Sequence, residues 1–243
     1  MPVTQDQLQE AVVGFYDRGL HLPHGKRIID LGVSKILKSE IWSPYLINTR
    51  HLQSFDQRSQ VPVADQARHT KAFLDGYVDI LNDLNAKKRF DHIIGPAQAG
   101  TPLMAGAAAL GGFSLLWERV PEEGKTHGAH SAIEGNFYEG EEIVIGDDVL
   151  TEAKAKLQTV AKIKEAGMNT TRVVSGVDRE QGGRALLDAA GIEFSAVLGI
   201  TTVADMLHEA GRIDVGERNY LHEYTASQPV YQEPAQWYWQ NNQ

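Results

Sequence analysis

The sequence predicts an α/β domain with a doubly wound, mostly parallel sheet and helices on both faces. The main observation is that short apolar runs alternate with helical segments from residue 92 to residue 210. Repeated β and α segments of this kind build a parallel sheet that is covered on both sides. The length agrees, since 243 residues suit one such domain with additions.

The residues before this alternation predict a helix, a small hood and a second helix. Thr4 with Gln7 resembles a capping box, and the apolar residues that follow predict a helix to about Arg18. Within a hood at about 20–50, short apolar groups alternate with turn residues, which predicts strands at 28–31, 36–37 and 45–48. Apolar residues at helical spacing predict the second helix at about 65–85.

The core is expected at about 65–210, inside a single domain covering 1–227. Its predicted strands lie at 92–95, 113–117, 143–147, 172–176 and 194–198. Its predicted helices follow the turn at 96–101 and then lie at 154–166, 181–190 and 203–210. A tail at 228–243 is rich in Gln, Pro, Trp and Tyr, so we expect its aromatic residues to pack on the body or on a partner chain.

Composition and charge exclude several classes of protein. A net charge of −9 argues against a broad nucleic-acid-binding face, which needs clustered Lys and Arg. The absence of cysteine excludes disulfides, thiolate metal sites and a cysteine nucleophile, and it fits a cytoplasmic location. Residues 93–117 carry no charge, but glycine and proline interrupt them, which favours a buried strand, turn and helix over a membrane span.

An acid pair, Asp147 and Asp148, follows the apolar run at 143–146 and precedes a predicted helix. In an open α/β sheet the carboxyl end of a strand faces the ligand crevice, so this pair could hold a polyhydroxylated ligand or a divalent cation. A cluster of capping residues on a surface loop is the alternative. Thr151 lies at the junction with the helix, where it could receive a phosphate or simply cap the helix.

Three further segments lie at strand ends or in long connections. The small residues of Gly95–Pro102 would let backbone amides approach an anion, although a tight turn needs similar residues. The connection at 119–128 could be a lid that places Arg119, Lys125 and His127 over a polyanion, or a solvated charged loop. Arg179 offers a planar fork to a carboxylate, or an ion pair to a neighbouring acid.

Together, and in this order, these segments resemble the orotate phosphoribosyltransferases of the type I phosphoribosyltransferase family. Residues 38–48, Lys-Ser-Glu-Ile-Trp-Ser-Pro-Tyr-Leu-Ile-Asn, are similar to that family's hood segment, and 125–128 to its mobile catalytic loop. Residues 143–151 resemble its phosphoribosyl diphosphate motif, and 178–183 its Asp-Arg-Gln-Glu-Gly-Gly segment. The likeness spans roughly residues 10–205 and implies the family's fold.

The resemblance implies transfer of ribose 5-phosphate from 5-phosphoribosyl 1-diphosphate to N1 of orotate. Mg²⁺ would bind mainly through the diphosphate, with no protein ligand assigned. Asp147 and Asp148 would bind the ribose hydroxyls and support the cationic transition state, while Lys125, Arg119 and His127 would come from a neighbouring subunit's lid. A homodimer with shared active sites is therefore expected, with neither nucleic acid nor membrane as a partner.

The resemblance also implies binding residues. Those for phosphoribosyl diphosphate are Asp147, Asp148, Thr151, Glu152, Ala153, Lys154, Ala155, Gly95, Ala97, Gln98, Ala99 and Gly100. Those for orotate are Lys38, Leu46, Ile47, Thr151 and Arg179. Catalysis is assigned to Lys125, Asp148, Arg119 and His127.

The turn after the acid pair departs from the family's pattern. The family has a glycine-containing turn there, whereas this chain has Thr151-Glu152-Ala153-Lys154. Glycine lets consecutive amides wrap a phosphate, and Glu152 adds a negative charge. Two interpretations stay open: a working phosphoribosyltransferase, or a catalytically impaired relative that binds a nucleotide or metabolite as a regulator.

Overall fold

The computed structural model describes residues 2–18, 35–36, 42–43, 55, 57, 59–97, 99–119, 132–151 and 153–226. Its helices are α1 (Gln5–Asp17), α2 (Val63–Lys87), α3 (Gly100–Gly111), α4 (Lys154–Glu165), α5 (Gly183–Ala189), α6 (Ile200–Glu209) and α7 (Val215–Ala226). Its strands are β1 (Lys35–Ile36), β2 (Trp42–Ser43), β3 (His92–Gly95), β4 (Leu115–Glu118), β5 (Ile133–Glu134), β6 (Glu142–Leu150), β7 (Asn169–Asp178) and β8 (Glu193–Gly199).

The main sheet has six strands in the order β5-β4-β3-β6-β7-β8. All neighbours pair in parallel except β5, which runs antiparallel to β4. This arrangement confirms the predicted doubly wound, mostly parallel sheet. Of the expected hood, the structure describes only β1 and β2, which form an antiparallel pair.

The sheet separates two apolar clusters. One contains Phe15, Tyr77 and Met104 from α1, α2 and α3, together with residues of α6 and α7. The other contains residues of α4 and α5. Within β6, Val144 belongs to the first cluster and Ile145 to the second, because successive strand residues face opposite sides. Helices therefore cover both faces, as predicted.

Helix α1 begins as its sequence predicts. Thr4 Oγ1 accepts the N–H of Gln7 at 3.2 Å, and the N–H of Thr4 donates to Oε1 of Gln7 at 2.9 Å. This reciprocal pair confirms the capping box. The helix then packs on α2, where the rings of Phe15 and Phe73 meet edge to face with centroids 5.6 Å apart.

Strand β6 is longer than predicted. The expected end was residue 147, but Val149 and Leu150 continue the ladder by pairing with Val177 and Asp178 of β7. The predicted end of the strand is therefore wrong, whereas the predicted position of the acid pair near the carboxyl end of this strand is confirmed. Asp147 and Asp148 lie inside the strand, three residues or fewer from its end.

Strand β5 and helix α7 were not predicted from the sequence. Strand β5 has only two residues and lies within a long polar connection, so it shows no alternation. Helix α7 buries Glu217, Leu221 and Tyr224, and a glutamate among its three buried residues hides the apolar stripe. Such elements are recognisable only from what they pack against.

The uncharged stretch at 93–117 forms β3, α3 and most of β4. Helix α3 has 12 residues and ends where Gly112 adopts the left-handed conformation, with φ of 72°. Among the residues described, no helix combines the length and hydropathy needed to cross a membrane. The expectation of a buried strand, turn and helix is thus confirmed.

Candidate active site

The acid pair lies beside the turn that joins β3 to α3. Strand β3 pairs with β6 only as far as Ile145, and beyond that point the start of α3 lies against β6. A Cβ atom on Gly100 would lie 2.9 Å from the carbonyl oxygen of Gly146 and 3.0 Å from Oδ1 of Asp147. Such a close approach requires glycine. Two segments predicted to bind the same substrate, the acid pair and Gly95–Gly100, are therefore adjacent.

Asp147 is buried, and both of its carboxylate oxygens have partners. Oδ2 lies 2.5 Å from Nζ of Lys156, and Oδ1 accepts the N–H of Asp148 at 2.9 Å. Burial raises the pKa of Asp147 from 3.8 to about 6, because the attraction of Lys156 only partly offsets the loss of hydration. The carboxylate of Asp147 is therefore held by partners within the protein.

Asp148 differs from its neighbour because it is only partly buried. Its Oδ1 accepts the N–H of Val149 at 2.8 Å. Beneath the pair, the hydroxyl of the fully buried Tyr77 donates to the carbonyl oxygen of Asp147 at 2.5 Å. Burial, and then the charges of Asp148 and Asp147, raise the pKa of Tyr77 well above its usual value, so its hydroxyl remains a donor.

The turn after β6 keeps a left-handed residue although it has no glycine. Ala153 has φ of 63° and ψ of −9°, and helix α4 begins at the next residue. Thr151 is therefore not the N-cap of α4, so the plain capping interpretation of that residue is wrong. In the part of the chain that the structure describes, no side chain caps α4, and Lys154 and Ala155 are exposed. The first N–H groups of a helix lack intrahelical partners and form a site suited to phosphate.

The turn between β3 and α3 is constrained at both ends. A Cβ on Gly95 would come within 2.6 Å of the backbone of Gly100, so the two glycines bring the ends of the turn together. Between them, the N–H of Ala97 donates to Oε2 of Glu118 at 3.4 Å. That carboxylate also accepts the hydroxyl of Thr159 at 3.1 Å and pairs with Lys162. Glu118 thus joins this turn to α4.

The segment after β7 connects β6 to α6. Asp178 and Arg179 are 4% and 3% exposed, and the N–H of Arg179 donates to the carbonyl oxygen of Leu150 at 3.0 Å. Glu180 is left-handed, with φ of 55°, and its carboxylate accepts the hydroxyl and the N–H of Thr201 at the start of α6. Arg179, which the sequence predicts to offer its planar fork to a carboxylate, is therefore a buried residue at this junction.

Several predicted site residues lie outside the residues that the structure describes. These are Lys38, Leu46 and Ile47 of the hood, Gln98 of the diphosphate turn, Lys125 and His127 of the lid, and Glu152 after the acid pair. Arg119 is described: its N–H donates to the carbonyl oxygen of Ala132 at 2.9 Å, and its Nε lies 3.5 Å from Oε1 of Glu134. Arg119 is therefore held at the end of β4, at the base of the predicted lid.

Lys156 and Glu118 were missed by reasoning from the sequence. A signal for Lys156 exists, because it shares a helical face with Val160 and Ile163 at spacings of four and seven residues. A lysine on an apolar face needs a buried partner. Glu118 carries no such signal, since its partners come from two distant elements.

Comparison with curated proteins finds orotate phosphoribosyltransferases among the relatives of this chain. Orotate phosphoribosyltransferase of Pyrobaculum islandicum is 30% identical over 191 residues, covering 76% of this chain and 89% of that protein. The enzyme of the same name from Halobacterium salinarum is 34% identical over 115 residues, covering 63% of its length. The bifunctional enzyme PyrF/PyrE of a Nostoc species is 36% identical over 141 residues, which is 28% of its length. The chain thus matches less than two thirds of the last two relatives.

Solved structures share the fold. UMP synthase of Leishmania donovani has a TM-score of 0.69 at 20% identity, covering 90% of this chain and 42% of that one. Orotate phosphoribosyltransferase of Aeropyrum pernix has a TM-score of 0.60 at 22% identity, covering 83% and 99%. At these identities the likeness concerns the fold alone. No family model matches the chain.

Proposed function

We propose, because this chain belongs to the orotate phosphoribosyltransferase family, that it makes orotidine 5'-monophosphate and diphosphate from orotate and 5-phosphoribosyl 1-diphosphate. This reaction is a step of pyrimidine nucleotide biosynthesis, and we infer the expected cytoplasmic location with it. The main support for this proposal is the close approach of Gly100, at the start of α3, to Asp147 of β6. Lys156, in the first turn of α4, pairs with the same aspartate. Three segments suited to diphosphate, ribose and phosphate thus meet at one edge of the sheet.

Asp148 is the proposed catalytic carboxylate at the ribose. It is the more exposed acid of the pair, whereas Asp147 is buried and pairs with Lys156. As the bond to diphosphate breaks, positive charge develops on the ribose. A fixed carboxylate therefore stabilises the transition state more than the ground state. Asp147 is the buried acid of the same site.

The 5-phosphate is proposed to bind at Thr151 and the start of α4. The amides of Ala153, Lys154 and Ala155, with that of Glu152, would receive its oxygens. Support comes from the left-handed conformation of Ala153, which is the conformation that a glycine would provide in such a turn. The exposed ammonium of Lys154 adds a positive charge beside this site.

The diphosphate is proposed to bind along Gly95, Ala97, Gln98, Ala99 and Gly100, and Mg²⁺ would be held there mainly through the diphosphate. The small residues and backbone amides of this turn fit a diphosphate that would carry the magnesium ion. Mg²⁺ commonly binds phosphate oxygens and keeps several waters. When bound, it would neutralise charge on the leaving diphosphate.

We infer a homodimer in which the lid of one subunit serves the site of the other. Lys125, Arg119 and His127 are the proposed lid residues, and they would stabilise the departing diphosphate while excluding water. Arg119 lies after β4, which is separated from β6 by β3, so it is two strands away from the acid pair of its own chain. The domain is taken as residues 1–227, with the aromatic tail at 228–243 outside it.

Orotate is the proposed acceptor, held by Lys38, Leu46, Ile47, Thr151 and Arg179. A carboxylated base needs cationic partners, and two of these residues are cations. A pyrimidine without the carboxylate, such as uracil, would not use them.

The assay is the loss of orotate absorbance on mixing the purified full chain with orotate, magnesium and phosphoribosyl diphosphate. We expect turnover with orotate and none with uracil. Asp148→Asn should abolish turnover, and Lys164→Ala, an exposed change on the far turn of α4, serves as the control. An inactive wild-type protein would overturn the proposal.

The impaired, ligand-binding relative is favoured by the sequence of the turn, Thr151-Glu152-Ala153-Lys154, which has no glycine and in which Glu152 adds a negative charge. Under this alternative, calorimetry would detect binding of phosphoribosyl diphosphate or a nucleotide while turnover is absent. Binding together with turnover would exclude it.

A further inference from the structure

Lys156 is a buried lysine in the middle of the candidate site. Its side chain is 7% exposed, and its Nζ lies 2.5 Å from Oδ2 of Asp147 and 2.5 Å from the carbonyl oxygen of Val149. Removing an ammonium group from water is costly unless the group is paired and hydrogen-bonded. Both partners of Lys156 come from β6, so its ammonium ties α4 to the end of that strand.

The position of Lys156 within α4 is unfavourable for the helix itself. It lies in the first turn, where the helix dipole favours negative rather than positive charge. An apolar residue would continue the buried face that Val160 and Ile163 form lower on the helix. The ammonium therefore has its effect through its partners on β6.

Those partners flank Asp148 on both sides. Lys156 binds the carboxylate of Asp147, the residue before it, and the carbonyl of Val149, the residue after it. The same carboxylate of Asp147 accepts the N–H of Asp148 at 2.9 Å. One ammonium thus binds the side chain of the residue before Asp148 and the backbone carbonyl of the residue after it.

Charge gives Lys156 a second effect. Asp147 and Asp148 are adjacent carboxylates, and phosphoribosyl diphosphate is a polyanion that must approach them. The ammonium of Lys156 offsets the charge of Asp147 at 2.5 Å, so the pair presents about one negative charge instead of two. Repulsion of the substrate is reduced while Asp148 keeps its charge for the ribose.

We propose that Lys156 is a positioning residue, which holds Asp147 inside the protein and fixes Asp148 toward the ribose. The roles of the two acids are thereby divided: Asp147 is the internal partner, and Asp148 makes the contact with substrate. This inference rests on the proposed transfer reaction for its kinetic part. Its structural part, the fixed backbone around Asp148, is independent of activity.

The kinetic test compares Lys156→Met with wild type and with Val160→Ala. Met has a similar length without charge, and Val160 lies on the same buried face of α4. We expect Lys156→Met to lower kcat about 10- to 100-fold with a smaller rise in KM, because Asp148 acts mainly in the transition state. Val160→Ala should reduce thermal stability and leave kcat within about twofold of wild type. A kcat for Lys156→Met within the same range would overturn the proposal.

A double variant separates charge from positioning. In Asp147→Asn with Lys156→Gln, two neutral amides replace the ion pair and retain hydrogen bonding, with no carboxylate left unpaired. We expect its kcat to exceed that of Lys156→Met by about tenfold, since the backbone around Asp148 stays held. A double variant no better than Lys156→Met would show that hydrogen bonding alone does not position Asp148.

Hydrogen exchange of the unliganded full chain tests the structural part. We expect faster exchange of the amides of Asp148 and Val149 in Lys156→Met, and no local change there in Val160→Ala. Unchanged exchange at these amides would overturn the proposal even if kcat fell. If the wild type has no turnover, the proposed function fails, and the exchange result still decides whether Lys156 positions Asp148.

Discussion

The hydroxyl of Tyr77 donates a 2.5 Å hydrogen bond to the carbonyl oxygen of Asp147, and Tyr77 is fully buried. This bond joins α2 to the strand that carries the acid pair. A Cβ on Gly176 of β7 would lie 2.7 Å from the same hydroxyl, so the tyrosine fills the space that the glycine leaves. Helix α2 thus supports the candidate site from beneath the sheet.

Tyr77→Phe should therefore destabilise the fold. The change leaves the carbonyl oxygen of Asp147 buried without this donor, which costs about 1–3 kcal/mol. Urea unfolding gives the free energy, and turnover should fall as well because β6 is less firmly held. Tyr224→Phe is the matched control, since that buried hydroxyl accepts the amide of Gln181 away from β6. Equal effects of both changes on turnover would contradict a specific role for Tyr77.

Ala153→Gly should strengthen phosphate binding. The left-handed conformation costs alanine roughly 1–2 kcal/mol, and glycine removes this cost. Glycine also lets the consecutive amides of the turn wrap a phosphate, so we expect a lower Kd for phosphoribosyl diphosphate in calorimetry. The free energy of unfolding should change by less than about 1 kcal/mol, because the buried methyl group of Ala153 is lost at the same time.

Gly182→Ala measures what a left-handed alanine costs at another position of the same fold. Gly182 has φ of 87° and a Cβ there would meet nothing within 4 Å, so the change introduces backbone strain without a clash. It should reduce the free energy of unfolding by roughly 1–2 kcal/mol. If Ala153→Gly weakens phosphoribosyl diphosphate binding, the turn does not bind phosphate as proposed.

The raised pKa of Asp147 predicts a pH-dependent contribution to stability. Because burial raises it from 3.8 to about 6, the folded protein binds more protons than the unfolded chain between these values. The stabilising contribution is then fully present below the lower value and is lost as the pH rises through about 6.

Unfolding in urea at a series of pH values measures whether the free energy of unfolding falls or rises with pH. The reference is Asp147→Asn with Lys156→Met, which removes the titrating carboxyl and its partner together. Relative to that variant, the free energy of unfolding of the wild type should fall between about pH 4 and pH 6 and then become constant. A difference that rises with pH in this window would contradict the burial effect.

Glu118→Gln should tighten the binding of diphosphate groups. The carboxylate of Glu118 accepts the N–H of Ala97 within the proposed diphosphate turn and places a negative charge there. Removing that charge should lower KM for phosphoribosyl diphosphate about two- to fivefold, which corresponds to about 0.5–1 kcal/mol. Glu165→Gln, an exposed change at the end of α4, is the control. A raised KM would mean that Glu118 shapes the turn more than it repels the ligand.

The shared active site is tested by mixing two inactive variants, Lys125→Ala and Asp148→Asn. Each should lower kcat by about 100-fold or more, because each removes a group that stabilises transition-state charge. If the lid serves the partner's site, co-refolded mixtures should regain about a quarter of wild-type activity, since hybrid dimers contain one intact site. No regained activity would place Lys125 in the site of its own chain.

Much of the fold could be predicted from local patterns. The alternation of apolar strands and helices predicted the parallel sheet, and Thr4 with Gln7 predicted the start of α1, because both signals depend on neighbours in sequence. The end of β6 was predicted too early, at residue 147, because Asp148 looks like a loop residue. Only the pairing of Val149 and Leu150 with β7 continues the strand beyond it.

The sequence by itself determined the class of fold, the family resemblance and the position of the acid pair along the chain. Tertiary structure decided what each acid contacts. Lys156 is nine residues from Asp147 in sequence, yet their charged groups lie 2.5 Å apart because the turn at Ala153 folds α4 back onto β6. Burial and pairing depend on which elements pack together, and a local pattern of residues does not contain that information.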